Sequence, residues 1–407
     1  RHDGSHDGKL GQGGQASLRE VVAWIDGWAA PLRAEEVALA DATGRVLAGD
    51  VVAPLELPPA DRAAADGFAL RADETVGASA YNPLSFHLAP PSTPVPAGSA
   101  VAVRSGDALP AGTDAIVRLE LAVPDARGCV GIIAPVFAGN EVESRGGHAA
   151  RGSVLVAAGR HLDPADIGLL ALAGVDRVCA VGRPRVRCVL ISGRLVAAGH
   201  TLAPDETYDA NGPLLAALIG RDGGLATDMR RTGGDPAAVR EALAAPGAEI
   251  VLLAGGTGPD SGDCAAAILA DVGELAVHGV ALRPGDSAGA GRAADVPVFL
   301  LPGAPAACLW AYELLAGRAV RRLAGRAPEL PYVRQALRVA RKIVSEVGTV
   351  DVCPVRRTGD PEVVEPMAPF AEAGLAAAAH ADGFILVPEG SEGYPQGATV
   401  TVYLRHR

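Results

Sequence analysis

The sequence predicts a multidomain protein of mixed α/β and β architecture: one doubly wound α/β domain, two β-rich domains, and a discontinuous domain of mixed helix and strand. Its 407 residues suffice for two to four domains, each with its own core. Continuous apolar strands alternate with amphipathic helices between about residues 183 and 328. Short β-branched runs broken by Pro and Gly fill residues 55–147 and 329–407. These different sequence patterns predict domains with separate hydrophobic cores.

The composition excludes several functional classes. Hydrophobic residues make up 49% of the chain and aromatic residues only 4%, so the cores must consist mainly of Ala, Val and Leu. A formal net charge of −11 argues against a general binder of nucleic acid or of anionic membranes. No apolar run is long enough to span a bilayer and no signal-peptide pattern is present, so we expect a cytoplasmic protein.

The cysteines are scattered and form no C-x-x-C pair, which argues against a zinc site or a disulfide framework. We expect all of them to be buried small residues: Cys129, Cys179, Cys188, Cys264, Cys308 and Cys353.

The sequence of the N-terminal region predicts a disordered leader followed by a helix with a capping box. Residues 1–16, rich in Gly, His and Asp, are expected to form a disordered leader. Ser17 and Glu20 make a capping box ahead of an apolar helical face. A second helix, with Asp163 as its cap, is expected to pack back on the first. Residues 17–54 and 148–182 would then form the discontinuous domain, with the β-rich residues 55–147 inserted between them.

In residues 183–328, predicted strands, loops and helices alternate, which is typical of a mostly parallel sheet covered by helices on both faces. The buried strands are VRCVLIS, EIVLLAGG and VPVFLLPG, and the helices are NGPLLAALIGRDGG, DPAAVREALAAP and APAACLWAYELLAGRAVRRLAG. Ligands of such sheets bind beyond the carboxyl ends of the strands, where ISG, AGGTG and LPGAP occur. Residues 329–407 predict a small all-β domain from the runs LRVARKIV, VDVCPV, GFILVPEG and ATVTVYL.

The stretch LLAGGTGPDSGD, which ends at Asp263, has the layout of a phosphate-binding loop but contains two acids and no lysine. Neither G-x-x-x-x-G-K-[ST] nor G-x-G-x-x-G fits it. Two interpretations remain open. Asp260 and Asp263 could bind Mg²⁺, which in turn contacts a substrate phosphate. Alternatively, Asp260 stabilises a turn and Asp263 caps the helix that follows.

A second group of acids stands in LPPADRAAADGFALRADE, where Asp61 and Asp66 lie among small residues. This stretch is followed in order by SGDALPAGTDAIVRLE, YDANGPLLAALI, AGGTGPDSGD, HGVALRPGDS, LPGAP and ADGFILVPEGSEGYPQGATVTVYL. Taken jointly, from about Ser17 to Leu404, these motifs resemble those of the molybdopterin molybdenumtransferase family, which includes the MoeA proteins and the E domain of gephyrin.

The resemblance implies an elongated homodimer of four-domain subunits. Residues 17–54 with 148–182 would form the dimer, and residues 183–328 would be a MogA-like molybdopterin-binding domain. The implied reaction inserts molybdate or tungstate into adenylylated molybdopterin and releases AMP with help from Mg²⁺. A molybdoenzyme or another protein of the cofactor pathway would be the macromolecular partner, with no role for nucleic acid or membrane.

The resemblance also implies site residues, position by position. The catalytic candidates are Asp61, Asp66, Ser105, Asp263 and Arg283, with Arg283 attracting the oxyanion and the first three shaping the facing wall. Asp263 matches the loop aspartate of the family, whereas Asp260 has no clear counterpart there and is a candidate Mg²⁺ ligand, with Asp263, from the charge of the loop itself. The candidate pterin-binding residues are Gly255, Gly256, Thr257, Gly258, Ser261, Pro284, Gly285, Pro302, Gly303 and Pro305. Asp114 matches a further family acid.

Several positions depart from the family patterns. The two lysines of K-P-G-K-P are Arg283 and Asp286, and S-T-G-D-E is shortened to Ser192, Gly193 and Arg194. His148, Gly258 and Ala304 replace an acid, a serine and an asparagine. Because removing one preorganised group from an electrostatic site costs roughly 3 to 4 kcal/mol, an alternative is an impaired paralogue that serves as a cofactor carrier or scaffold. A third reading is an α/β protein that binds an unrelated phosphate.

Outside these motifs, single residues predict structural roles. We expect His161 and His278 to be satisfied structural histidines, and Trp310 and Tyr312 to pack around the last helix of the α/β region.

Overall fold

The computed structural model describes residues 14–91, 94–125, 128–258, 263–367 and 374–405. Most of the predicted leader, together with Asp260 and Ser261, lies outside the described residues. Ala16, which was assigned to the leader, is buried and donates its N–H to Gly279 O at 2.9 Å. The fold therefore includes at least the last residue of the predicted leader.

Three of the helices in the described residues begin at a residue whose side chain caps them. Ser17 and Asp163 each form a capping box, and Asp235 accepts from Ala237 N ahead of a proline-started helix. A π-helical segment, Tyr312–Ala316, joins α6 to α7. The helices are α1 Leu18–Trp28, α2 Pro164–Leu172, α3 Asn211–Arg221, α4 Pro236–Ala244, α5 Ala265–Val272, α6 Pro305–Ala311, α7 Gly317–Leu323 and α8 Leu375–His380. Within the described ranges, no helix is both long and apolar enough to cross a bilayer.

The strands are short, in line with the frequent Gly and Pro. In chain order they are β1 Ala34–Ala38, β2 Val51–Val52, β3 Arg62–Ala63, β4 Gly67–Leu70, β5 Leu84–Leu88, β6 Ser99–Val103, β7 Ala115–Arg118, β8 Ala122–Asp125, β9 Cys129–Ile132, β10 Val142–Glu143, β11 Val154–Val156, β12 Arg177–Val181, β13 Arg185–Leu190, β14 Leu195–Val196, β15 Thr207–Tyr208, β16 Leu225–Arg231, β17 Ile250–Ala254, β18 Glu274–His278, β19 Leu282–Arg283, β20 Gly289–Ala293, β21 Val296–Leu301, β22 Val333–Val339, β23 Ile343–Val344, β24 Val350–Arg357, β25 Val363–Pro366, β26 Gly383–Val387, β27 Gly393–Tyr394 and β28 Thr399–Leu404.

The chain divides into two units. The β unit consists of Glu36–Thr43 and Leu47–Ala180. The α/β unit consists of the residues up to Glu35, Gly44–Val46 and the residues from Val181 onward.

The central sheet of the α/β unit has the strand order β16-β13-β17-β21-β20-β18. The first four strands are parallel, whereas β20 and β18 pair antiparallel. Alternate residues of β17 point to opposite faces: Leu252 joins a core with α1, α3 and α6, and Leu253 joins a core with α4 and α5. The prediction of a mostly parallel sheet covered on both faces is therefore confirmed.

A second sheet of the α/β unit has the order β19-β24-β25-β22-β28-β26, and an additional pairing of β24 with β26 closes it into a ring. Leu337, Val355, Ile385 and Val402 fill its core. Of the four runs predicted in this region, LRVARKIV contains the end of β22 and all of β23, and the other three fall on β24, β26 and β28. Strand β19, which comes from the α/β stretch of the sequence, pairs parallel with β24.

The β unit contains the sheet β7-β4-β6-β5-β9-β8 around Leu70, Phe86 and Val117. A second core in this unit unites Leu39 and Leu47 with residues from far along the chain, namely Val156, Leu162, Leu170 and Val178. These segments, which lie far apart in the sequence, therefore share one core.

Helix α1 does not share a core with α2, and this expectation is wrong. Val21 and Ile25 belong to a core of the α/β unit, whereas Leu170 of α2 belongs to the β unit. The physical reason is a good fit to the central sheet: Trp24 meets Phe299 edge to face at 6.3 Å, and Arg318 binds Asp26 with two hydrogen bonds.

The cysteines are mostly buried, as expected. Burial raises the pKa of the Cys188 and Cys353 thiols to about 12, which makes both thiols unreactive. Cys264 is half-buried and Cys179 is exposed, so the expectation is wrong for Cys179.

Candidate active site

Three loops meet at the carboxyl edge of the central sheet. Ile191 N donates to Ala254 O at 2.8 Å, and Gly255 N donates to Leu301 O at 2.9 Å, so the loops after β13, β17 and β21 lie side by side. Gly255 has φ +93°, and a Cβ there would lie 2.6 Å from Ile191 O. A Cβ on Gly303 would lie 3.4 Å from the Cα of Gly255. The edge therefore packs backbone against backbone, which only glycine at 255 permits.

Asp263 lies between the glycine-rich loop and α5. Its side chain is half-buried, and its Oδ2 lies 2.5 Å from the position that a Cβ on Gly258 would occupy. The N-cap residue of α5 is Cys264, and that cap makes no side-chain hydrogen bond. The alternative that Asp263 caps this helix is therefore wrong. Its carboxylate faces the glycine-rich loop.

The loop 283–287, which carries the RPGDS sequence, touches the glycine-rich loop. Thr257 Oγ1 lies 3.1 Å from Ser287 Oγ, and His278 Nε2 lies 2.9 Å from Thr257 O. His278 is thus a structural histidine, as predicted. Gly285 has φ +139°, and a Cβ there would lie 2.8 Å from Leu282 Cδ2. Asp286 is exposed, and its Oδ1 accepts from Ser287 N at 3.1 Å.

Arg283 is held by two acids, Asp351 on β24 of the second sheet and Glu346 on the segment before it. Its Nε and Nη2 donate to the two oxygens of Asp351 at 2.8 and 2.6 Å, and its Nη1 lies 3.2 Å from Glu346. The Asp351 side chain is 0% exposed and also accepts from Ser345 Oγ at 2.6 Å. The hydrogen bond with Asp351 raises the pKa of Arg283 against the opposing effect of burial. This pairing leaves the expected attraction of an oxyanion by Arg283 without support from the geometry.

Further polar groups at the same edge were not singled out from the sequence. Asn211 Nδ2 donates to Gly303 O at 2.8 Å, while its buried Oδ1 has no hydrogen-bond partner within the described part of the chain. Asp209 is buried and accepts from Gly212 N and from Arg231 Nη2 at 2.8 and 2.7 Å. The available signal was the YDAN sequence, in which an acid and an amide precede a helix directly.

Trp310 and Tyr312 are buried, as predicted for packing residues, and the centroid of the Trp310 ring lies 4.8 Å from that of Phe384. Their polar atoms, Trp310 Nε1 and Tyr312 OH, are buried without a hydrogen-bond partner among the described residues.

In the β unit, the three matched residues lie on neighbouring loops. Asp66 Oδ1 accepts from Ser105 N at 2.8 Å, and Ser105 Oγ donates to Ala64 O at 3.2 Å. Asp61 Oδ1 accepts from Arg145 N at 2.7 Å, and Asp61 O accepts from Leu109 N at 2.8 Å. All three side chains are exposed. The loops therefore present two carboxylates and a hydroxyl to solvent in a fixed arrangement.

Asp114 has a local role, because its Oδ1 accepts from Ala72 N at 2.7 Å and fixes the turn after β4. Across the described residues, no group of three or more His, Cys, Asp or Glu side chains is arranged to hold a metal ion.

Sequence profiles of three consecutive regions match this chain. They describe the MoeA N-terminal region with domains I and II at residues 16–174, the probable molybdopterin-binding domain at residues 194–322, and the MoeA C-terminal region with domain IV at residues 336–404. Together these profiles span most of the chain.

Two relatives from Mycobacterium tuberculosis extend the match. Molybdopterin molybdenumtransferase 2 is 32% identical over 68% of this chain and 72% of its own length. Molybdopterin molybdenumtransferase 1 is 29% identical over 95% of this chain and 98% of its own length. The solved structure of a molybdopterin biosynthesis MoeA protein from Pyrococcus horikoshii superposes with a TM-score of 0.72 at 28% identity, covering 96% of this chain and 99% of that one. The chain therefore belongs to the MoeA family of molybdopterin molybdenumtransferases.

Proposed function

We propose that this protein inserts molybdate into adenylylated molybdopterin and releases AMP, as a step of molybdenum cofactor biosynthesis. Membership of the MoeA family supports the reaction class. The observation that carries the proposal to this chain's own residues is the Asp263 carboxylate, which faces a glycine-rich loop at the carboxyl edge of a parallel sheet.

The glycine-rich loop would bind the phosphates of the substrate. Backbone N–H groups at such a turn can surround an anion without any lysine. We assign phosphate and pterin contacts to Gly255, Gly256, Thr257, Gly258 and Ser261. Further contacts would come from the neighbouring loops, through Pro284, Gly285, Pro302, Gly303 and Pro305. The contact between Thr257 and Ser287 would hold two of these loops in register.

Mg²⁺ is the proposed cofactor, with Asp263 and Asp260 as its protein ligands. The half-buried Asp263 carboxylate accepts no hydrogen bond from the described residues, so its oxygens are available to a cation. Mg²⁺ commonly takes one or two carboxylates and completes its shell with water and substrate phosphate, which fits a site with few acids. When bound, the ion would offset phosphate charge as AMP departs.

In the β unit, Asp61, Asp66 and Ser105 are proposed to contribute polar contacts to substrate. We further propose a homodimer that acts in the cytoplasm and delivers its product to a molybdoenzyme or to another protein of the pathway. Within the described residues no disulfide links the cysteines, which is compatible with a reducing compartment.

The test is release of AMP from adenylylated molybdopterin by purified protein with molybdate and Mg²⁺. We expect activity that chelation of Mg²⁺ abolishes, and a loss of about a hundredfold in kcat for Asp263→Asn. Asp271→Asn, on the exposed face of α5, is the matched control and should retain full activity. Binding of the pterin without release of AMP would overturn the insertase and indicate a carrier. Failure to bind the pterin would overturn both functions.

A further inference from the structure

Asp351 is a fully buried carboxylate with no role assigned by the motifs. It lies on β24, next to Val350, which donates its N–H to Ala281 O at 2.9 Å. Its side chain accepts two hydrogen bonds from Arg283 and one from Ser345 Oγ. A buried acid is retained without large cost only when it is paired and fully hydrogen-bonded, and Asp351 meets that requirement through Arg283.

The Arg283 side chain connects this buried acid to the site. Arg283 opens the loop 283–287, whose Ser287 contacts Thr257 of the glycine-rich loop. The loop is also fixed by its own backbone, since Val280 N donates to Asp286 O at 3.0 Å and Ala288 N donates to Gly285 O at 3.0 Å. A continuous series of contacts therefore runs from β24 through Arg283 to the glycine-rich loop.

The charges around Arg283 argue against direct binding of an oxyanion. One guanidinium faces two carboxylates, Asp351 at 2.6 Å and Glu346 at 3.2 Å, so the three groups together are net negative. The planar fork of arginine fits the bidentate arrangement, which a lysine could not reproduce. The side chain is thus suited to anchoring a loop.

We propose that Asp351 is a positioning residue for molybdate insertion, which holds the loop 283–287 against the glycine-rich loop by binding Arg283. This inference rests on the proposed function for its catalytic consequence. Arg283 then contributes through the position of the loop, and the molybdate affinity does not depend on its charge.

The kinetic test compares Asp351→Asn and Arg283→Met in the AMP-release assay. Each should lower kcat about tenfold and leave the KM for molybdate within about twofold, because both misplace the same loop. The double variant Arg283→Met/Asp351→Leu, which leaves no buried carboxylate unpaired because Glu346 is exposed, should be no worse than the poorer single variant. Asp351→Glu should recover part of kcat. A rise in the KM for molybdate with Arg283→Met alone would overturn the proposal, since that result indicates direct contact with the anion.

Hydrogen exchange measured by mass spectrometry supplies a readout that needs no activity. Asp351→Asn should speed exchange about tenfold in segments 279–288 and 255–258, whereas Asp271→Asn, which breaks an exposed Asp–Arg pair with Arg240, should speed neither. Unchanged exchange in both segments would overturn the proposal even if the enzyme is active.

If wild-type protein releases no AMP, the proposed function fails while exchange still decides the role of Asp351. Ser345→Ala removes only one hydrogen bond from Asp351 and keeps the test valid if Asp351→Asn does not fold.

Discussion

Asp286 places negative charge where the resemblance indicates a lysine. Its side chain is exposed, and its Oδ1 accepts a hydrogen bond from the neighbouring Ser287 N. Hydrogen bonding to a single N–H does not cancel a full charge, so the carboxylate repels an approaching dianion. Since the loop 283–287 contacts the glycine-rich loop, this repulsion acts close to the proposed site.

Asp286→Lys should therefore lower the KM for molybdate. Reversing one charge about 8 Å from a dianion changes the interaction by about 2 kcal/mol in water, and salt screening reduces this to about 1 kcal/mol, or roughly fivefold. Asp295→Lys is the control, because Asp295 precedes β21 at the end of the sheet opposite the site. Initial rates against molybdate concentration at low and high salt measure the effect. Equal KM values for the two variants would show that Asp286 is remote from bound molybdate.

For single residues, the sequence could predict where a side chain lies more readily than which side chain it pairs with. Asp263 was predictable because it follows a buried strand and a glycine-rich turn, whose local geometry brings it to the edge of the sheet. Asp351, the partner of Arg283, was not, because it lies 68 residues away in another sheet. Spacing within a motif carries no information on such long-range pairing. The expected attraction of an oxyanion by Arg283 therefore stays a prediction, because no sequence pattern indicated its pairing with Asp351.

Among the secondary-structure elements, the turn after β17 is the most constrained by packing. Gly255 combines a positive φ of +93° with a close approach to Ile191 O. Gly247 has the same φ of +93°, but a Cβ there would have no neighbouring atom within 4 Å. Substitutions at these two glycines therefore distinguish the cost of backbone strain from the cost of steric overlap.

Gly247→Ala should cost about 1 kcal/mol of unfolding free energy through its backbone conformation alone. Gly255→Ala should cost about 3 kcal/mol, because the loop must also move away from Ile191. Urea unfolding followed by tryptophan fluorescence measures both, since Trp24, Trp28 and Trp310 all belong to the α/β unit. Similar losses of unfolding free energy for the two variants would show that the turn after β17 can move away from Ile191 at little cost.

Helix boundaries were predictable from caps, but helix partners were not. Ser17 and Asp163 cap helices as expected, and Asp235 caps a third helix. The apolar face of α1 indicated burial without indicating the surface that covers it, and the central sheet proved to be that surface. The π-helical segment between α6 and α7 also left no sequence signal, since its residues keep the apolar character of the flanking turns.

For the whole molecule, the alternation of strands and helices predicted the architecture well. A parallel sheet buried on both faces requires continuous apolar strands, and these are easy to recognise. The pairing of β19 with β24 was not predictable, because two residues are too short to carry a periodic pattern. The predicted boundaries of the four domains and the homodimer stay predictions.

The homodimer prediction leads to a measurable mass. On the two-stranded ribbon of β2 and β11, Val52 and Val154 lie directly opposite each other and are 48% and 52% exposed. Exposed apolar side chains on paired strands favour burial against another surface, and both lie in the segments expected to form the dimer. Sedimentation velocity should therefore give twice the chain mass of 41.1 kDa.

Val154→Lys should shift this mass toward that of a single chain, because burying an unpaired ammonium group opposes association. Val344→Lys, at a 63% exposed valine of the α/β unit, is the matched control and should remain dimeric. A wild-type mass of one chain at every concentration would contradict the homodimer. Dissociation by Val344→Lys with a stable Val154→Lys dimer would move the interface away from the β2–β11 ribbon.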